Sequence, residues 1–253
     1  NALVDTYANW IPKEKILTTN VWSSELAKLA SNAMLAQRIS SINSLSALCE
    51  NTGANIDELS KAIGMDHRIG PHFLKASVGF GGSCFQKDIL NLVYLCKYYG
   101  LNEVAEYWHQ VVKINDYQKD RFAQKIIDHF GGDLTGKTIA ILGWAFKANT
   151  NDSRESAAIY VAEKLYKAGA TLKIYDPKFS KESIIKDIGF YWGTGPDFSH
   201  DRIRVMNEAP NFKEIDVTAI LTEWDEFKNL DFENSRVLDG RNLLEKTDYS
   251  IGK

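Results

Sequence analysis

The first half of the chain has apolar residues at helical spacing. From Ser23 to Leu48 they recur at steps of three and four, which predicts one long amphipathic helix capped by Ser23 or Ser24. A short β-prone run, Ile16 to Asn20, precedes this helix and has no partner strand nearby in the sequence. Further helical stretches follow it: Asn55 to Ile63, Cys84 to Tyr99, and Val104 to Phe130.

The pattern changes after the glycine-rich turn Phe130 to Gly136. Short apolar runs now lie before and after a helical stretch. Strands that alternate with helices in this way are typical of a parallel, doubly wound sheet. We therefore predict an α/β chain in which an all-helical domain is joined by a long helix to a Rossmann-like domain. Phe190 to Asn211 has no assignable pattern. The predicted strands are Thr138 to Gly143, Thr171 to Tyr175, Val217 to Leu221 and Arg236 to Leu238, and the helix covers Arg154 to Ala168.

Composition and charge exclude several classes of protein. With 44% hydrophobic and 25% charged residues, the chain is typical of a globular protein. Thirty basic against thirty-three acidic residues leave no basic footprint for nucleic acid, and no apolar stretch is long enough for a membrane span. The three cysteines are odd in number and match no zinc spacing, so we expect a reducing cytoplasm, no disulfide framework and no metal site.

Cys84 is the candidate nucleophile. It follows the loop Gly79 to Ser83 and opens a predicted helix, where unpaired N–H groups and the helix dipole stabilise a thiolate. The glycines let the backbone approach a ligand closely, and Asp88 shares the helix face with the thiol. The alternative is a buried structural cysteine. We expect that role for Cys49 and Cys96, which lie on apolar helical faces.

A second candidate cluster lies on one face of the first long helix. Glu25, Lys28 and Asn32 are spaced at i, i+3 and i+7. A solvated Glu–Lys pair is the simpler interpretation. Asn32 argues against it, because a mid-helix Asn is unfavourable unless its amide has a partner.

The second domain carries a candidate phosphate site. Lys147 follows the first predicted strand, Arg154 opens the next helix, and Arg241 follows the last strand. Asp152 and Glu155 have capping-box spacing at that helix start. These features suit an anionic ligand at the carboxyl edge of a parallel sheet, although no G-x-G-x-x-G follows any strand.

Four separated motifs occur together in the order found in one family: Glu25 to Asn32, Gly79 to Asp88, Phe146 to Lys147 and Asp152 to Ser156. They resemble the UDP-glucose/GDP-mannose dehydrogenase family, most closely its members that oxidise UDP-glucose. The resemblance implies a helical central and dimerisation domain at 21–130 and a UDP-binding domain at 131–253. Residues 1–20 would end a missing N-terminal NAD-binding domain, with Ile16 to Asn20 as its last strand, and such a fragment would be inactive alone.

The resemblance also implies a reaction, a two-step oxidation of UDP-glucose to UDP-glucuronate by NAD in a cytoplasmic homo-oligomer. Cys84 would form a thiohemiacetal and then a thioester. Lys28 and Asn32 would stabilise the oxyanion and place water, and Asp88 would assist hydrolysis. Arg68 is expected either in this site or in that of a neighbouring subunit. The implied substrate contacts are Arg68, Lys75, Phe80, Gly81, Phe146, Lys147 and Arg241, and the implied NAD contacts are Cys84, Lys87 and Arg154.

Three other functions stay open at this point. A sister dehydrogenase acting on GDP-mannose or a UDP-N-acetyl sugar would share the Cys and Lys chemistry. A non-catalytic nucleotide-sugar-binding module would retain Cys84 without using it. A cysteine hydrolase is disfavoured because no His lies within the motifs.

Overall fold

The computed structural model describes residues 2–194 and 201–253. Within these residues the first half is helical, as predicted, and the second half is α/β. No described helix combines the length and the apolar character needed to cross a membrane. The helices are α1 Ala2–Tyr7, α2 Val21–Thr52, α3 Ile56–Gly64, α4 Phe85–Tyr98, α5 Asn102–His129, α6 Ala157–Lys167 and α7 Lys181–Tyr191.

One expectation about the start of the chain, the cap of α2 at Ser23 or Ser24, is wrong. The N-cap of α2 is Asn20, whose side-chain oxygen accepts from the backbone N–H of Ser23 at 2.8 Å. This leaves Ser23 inside the first turn. The run Ile16 to Asn20 forms no strand in the described chain, because a β-prone segment needs a partner to complete its hydrogen bonds.

The second half contains one parallel sheet with the strand order β3-β2-β1-β4-β5-β6, which confirms the doubly wound prediction. β1 lies between β2 and β4, so its carboxyl end faces the point where the strand order reverses. Of the unassigned stretch Phe190 to Asn211, residues 195–200 lie outside the described chain. The strands are β1 Thr138–Leu142, β2 Thr171–Tyr175, β3 Ile203–Val205, β4 Val217–Ile220, β5 Arg236–Asp239 and β6 Tyr249–Ser250.

The long helix α5 joins the two halves through a shared core. It packs against α2 and α4 on one side and against α6 on the other. Phe122 and Ile126 of α5 belong to the same buried cluster as Ile42 of α2 and Ile139 of β1. Burial of these side chains against both halves holds the helical part at the carboxyl edge of the sheet.

Candidate active site

A cavity of about 530 Å³ lies between the loop that follows α3 and the carboxyl edge of the sheet. All the predicted substrate contacts except Arg68 line it. Sequence reasoning missed other lining residues, because apolar side chains such as Ile39 and Phe85 look like ordinary core. The predicted residues in the wall are Lys75, Phe80, Gly81, Phe146, Lys147 and Arg241, and those missed include Ile39, His72, Phe73, Phe85 and Glu223.

The glycine-rich loop before Cys84 is bound to the second domain by its backbone. Val78 N–H donates to Gly240 O at 2.6 Å, and Gly82 N–H donates to Arg154 O at 2.7 Å. A Cβ on Gly81 would lie 2.4 Å from Glu155 O, so only glycine fits there. The domain interface therefore holds the loop that leads to the thiol.

Arg241 lies in the cavity wall, where it links three chain segments. Its guanidinium donates to Leu221 O at 2.7 Å, to Phe146 O at 3.0 Å and to Gly79 O at 3.3 Å. Burial lowers the pKa of Arg241, and the carboxylates of Glu223 and Asp239 oppose that shift. Three of its five N–H groups serve these carbonyls, and the carboxylate of Glu223 lies 3.4 Å from its Nε.

In a dinucleotide-binding fold, the turn after the first strand leaves room for the cofactor. In this chain, protein side chains fill the turn after β1. A Cβ on Gly143 would lie 2.3 Å from that of Thr222, and the Trp144 side chain is fully buried. Asp176, at the end of β2, accepts from Trp144 N–H at 2.6 Å and from Trp224 Nε1 at 3.0 Å. A carboxylate at this strand end commonly binds a ribose, but here it is buried in the protein. A dinucleotide does not fit at this turn, in agreement with the missing glycine fingerprint.

The predicted catalytic side chains meet around Asp88. Cys84 is exposed and stands immediately before α4, with Asp88 one turn along the same helix. Asp88 is buried and pairs with Lys28, while Asn32 Nδ2 donates to it at 2.6 Å and Lys87 Nζ at 2.7 Å. The mid-helix Asn32 thus has the partner that its position demanded. Glu25 lines a second depression, beside Trp22, and Lys28 lines the same depression.

Asp88 is ionised at neutral pH. Burial favours its neutral form, but hydrogen bonds from Lys28, Lys87 and Asn32 outweigh that effect and lower the pKa of Asp88 to about 2. A carboxylate with this pKa accepts hydrogen bonds and orients the two lysines. It takes up no proton near pH 7.

We expect Asp88→Asn to weaken the acid dependence of stability. A folded-state pKa of about 2, against 3.8 as the reference, makes Asp88 stabilising above pH 4, and this stabilisation is lost as the pH falls toward 2. The shift corresponds to about 2 kcal/mol of unfolding free energy. Urea denaturation between pH 5 and pH 3 measures the slope. Asp225→Asn, in an exposed pair with Lys228, is the control, and equal slopes for both variants would contradict the expectation.

Arg68 and Arg154 belong neither to the cavity wall nor to the hydrogen-bonded group around Asp88. Arg68 is exposed and pairs with Asp66 at 2.6 Å. Arg154 is also exposed, pairs with Asp152 at 2.7 Å and lies close enough to Cys84 for a thiolate there to raise the pKa of Arg154, behind the larger effect of Asp152. Lys87 has a similar proximity to Cys84.

The expected capping box at the start of α6 is wrong. The helix begins at Ala157, and its N-cap is Ser156, whose hydroxyl accepts from Ala158 N–H at 3.3 Å. Arg154 therefore precedes the helix. Glu155 has a φ of 55°, in the left-handed region, which is incompatible with the N3 position of a helix.

Comparison with known proteins gives one consistent family. Models of the UDP-glucose/GDP-mannose dehydrogenase family match this chain twice: the central domain at residues 22–117 and the UDP binding domain at residues 140–246. The UDP-glucose 6-dehydrogenase of Gallus gallus is 55% identical over 255 residues, covering 96% of this chain and 51% of that protein. UDP-glucose 6-dehydrogenase 3 of Arabidopsis thaliana is 50% identical over 281 residues, covering 100% of this chain and 58% of that protein.

The fold is also found among solved structures. A UDP-glucose dehydrogenase from the hyperthermophilic archaeon Pyrobaculum islandicum has a TM-score of 0.74 and 31% identity, covering 90% of this chain and 50% of that chain. This chain spans about half the length of the curated relatives it matches.

Proposed function

Because the chain belongs to the UDP-glucose/GDP-mannose dehydrogenase family, we propose that the whole protein oxidises UDP-glucose to UDP-glucuronate with NAD. Residues 21–130 form its central domain and residues 131–253 its UDP-binding domain. The observation that carries the proposal is one continuous loop, which walls a nucleotide-sized cavity and leads directly to an exposed Cys84. High identity to proteins named UDP-glucose 6-dehydrogenase supports this substrate over a GDP-sugar.

The cavity suits the UDP part of the substrate. Its volume of about 530 Å³ lies within the range of small-molecule sites. Lys75 and Lys147 supply cationic groups to the wall, and no carboxylate among the described residues pairs with either one. Phe80 and Phe146 add apolar surface for the base or sugar. In this assignment Lys147 binds the diphosphate, and Arg241 orients the wall around it.

The side chains around Asp88 suit the second oxidation. An alcohol becomes a carboxylate through an aldehyde, which releases hydride readily only after a nucleophile has added to it. Cys84 adds as the thiolate, Lys28 and Asn32 stabilise the resulting oxyanion, and the thioester left by the second hydride transfer is hydrolysed by water that Asp88 helps to position.

Two cations beside Cys84 suit an anionic cofactor. Lys87 and Arg154 lie near the thiol and would hold NAD there, whereas the filled turn after β1 would not. NAD, when bound, accepts the hydrides. Lys28 and Lys87 both pair with the single carboxylate of Asp88, which leaves this group of side chains with a net positive charge.

Lys147→Ala is expected to remove most of the thermal stabilisation that UDP gives to the protein. At a UDP concentration 100 times the dissociation constant, binding contributes about 2.7 kcal/mol, or a rise of about 5–10 °C in Tm. The substitution should leave the unliganded Tm unchanged, because Lys147 is exposed. Differential scanning fluorimetry with and without UDP measures both values.

Lys97→Ala, an exposed change on α4 remote from the cavity, is the matched control and should keep the full UDP shift. A shift retained by Lys147→Ala would move the phosphate site elsewhere. A larger shift with GDP than with UDP would favour the sister dehydrogenases that use GDP-sugars.

A further inference from the structure

A buried amide on the long helix α5 holds the loop that walls the cavity. Asn115 is 1% exposed. Its Oδ1 accepts from Phe80 N–H at 2.8 Å, and its Nδ2 donates to Phe80 O at 3.0 Å. One side chain thus satisfies both backbone groups of Phe80, as a neighbouring strand would. Asn is unfavourable inside a helix, so these two bonds give the residue a reason to be there.

The contact leaves little room for adjustment. Gly79 has a φ of 133°, and a Cβ there would lie 2.9 Å from Asn115 Oδ1. On the same loop, Ser77 O accepts from Gln118 at 2.8 Å, and Ser77 N–H donates to Asn43 at 2.9 Å. Amides from α2 and α5 therefore hold one side of the loop, while backbone groups of the second domain hold Val78 and Gly82.

We infer that Asn115 is a positioning residue, which fixes the Phe80 backbone and thereby both the cavity wall and the approach to Cys84. The inference rests on the proposed function for the identity of the ligand. Asn115 does not line the cavity and acts through Phe80. Its two bonds require both an acceptor and a donor on one side chain, and this dual requirement distinguishes it from a residue that merely fills space.

The test replaces the Asn115 amide by a carboxyl group, which can donate a hydrogen bond only when it is protonated. In Asn115→Asp, a protonated carboxyl group donates its O–H to Phe80 O and accepts from Phe80 N–H, as the amide does. The ionised form repels the Phe80 carbonyl. At pH 8 we expect the dissociation constant for UDP to be at least about tenfold higher in Asn115→Asp than in the wild type. Calorimetry measures the ratio of the two dissociation constants at each pH. The ratio should recover as the pH is lowered.

Hydrogen exchange supplies a readout that needs no ligand. The Phe80 amide should lose protection in Asn115→Asp at pH 8, relative to the wild type, and regain it at low pH. Asn115→Leu removes both bonds at every pH and should show no recovery. Asn43→Asp makes the same chemical change at an α2 residue that contacts the same loop, but Asn43 Nδ2 has no partner among the described groups. It should therefore show less pH dependence.

The charged groups around Asn115 set the pH at which UDP binding by Asn115→Asp recovers. They do not change the expectation that it recovers as the pH is lowered. Lys119, one turn along α5, pairs with Asp116 at 2.7 Å and lies over the ring of Tyr160 from α6. Its charge favours an ionised Asp at position 115, and burial favours the neutral acid. Charged residues on α2 and α4 that already have partners include Lys28, Arg38, Glu50, Lys87 and Asp88.

The outcomes separate the inference from the proposed function. A wild type that binds no UDP would refute the proposed ligand, and hydrogen exchange at Phe80 would still decide the role of Asn115. Wild-type protection and affinity in Asn115→Asp at pH 8 would overturn the inference. Equal, pH-independent losses in Asn115→Asp and Asn115→Leu would also overturn it, because they would mean that only packing matters.

Discussion

Cys84→Ser in the whole protein is expected to abolish conversion of UDP-glucose to UDP-glucuronate while leaving UDP-glucose binding intact. The serine hydroxyl is far harder to ionise than a thiol, so addition to the aldehyde and formation of an acyl intermediate should fall by several orders of magnitude. Binding should persist, because the described cavity is walled by other residues. NADH formation in a full time course measures turnover, and calorimetry measures binding.

Cys96→Ser is the matched control for this experiment. It makes the same change within α4, the helix that Cys84 precedes, but at a buried position in the hydrophobic core of the helical half. We expect it to lower stability and to keep turnover per folded molecule. Complete oxidation to UDP-glucuronate by Cys84→Ser would show that a different group attacks the aldehyde. Loss of binding in that variant would instead place the thiol in the substrate pocket itself.

Periodicity predicted the main elements because each one repeats a local pattern over many residues. The apolar spacing placed α5 correctly within two residues at its start and one at its end, Asn102–His129 against Val104 to Phe130. Element ends depend on single hydrogen bonds, so the sequence pattern predicts the wrong capping residues for α2 and α6, whose caps are Asn20 and Ser156. The run Ile16 to Asn20 shows a further limit, because strand formation depends on a partner.

The candidate site likewise contains residues that the sequence predicted and residues that it did not. The family resemblance carried by short motifs implied that Lys28, Asn32 and Asp88 belong together, and the described contacts join them. Asn115 and Asp176 had no local signal, since their roles depend on groups brought close only by folding. Asn115, for example, contacts Phe80 across 35 positions of sequence. A buried polar residue with one distant backbone partner looks, in sequence, like any other polar residue.

Arg241→Lys is expected to destabilise the protein by about 2–4 kcal/mol, because an ammonium cannot reach three carbonyls arranged for a planar fork. The carbonyl oxygens of Gly79, Phe146 and Leu221 lie on segments far apart in the sequence. Each buried carbonyl that loses its donor costs about 1–3 kcal/mol. Urea denaturation measures the effect, with an unchanged m-value showing that the extent of unfolding is the same.

UDP binding should weaken in the same variant, since two of those carbonyls belong to the cavity wall and its glycine-rich loop. Arg68→Lys is the control: Arg68 is exposed and, among the described residues, pairs only with the neighbouring Asp66, so its replacement should leave the free energy of unfolding essentially unchanged. If Arg241→Lys kept wild-type stability and lost only UDP affinity, its three carbonyl contacts would be dispensable, and Arg241 would act as a direct phosphate ligand. Equal losses of unfolding free energy and of UDP-binding free energy would mean that the geometry of the cavity depends on the same guanidinium that joins the two domains.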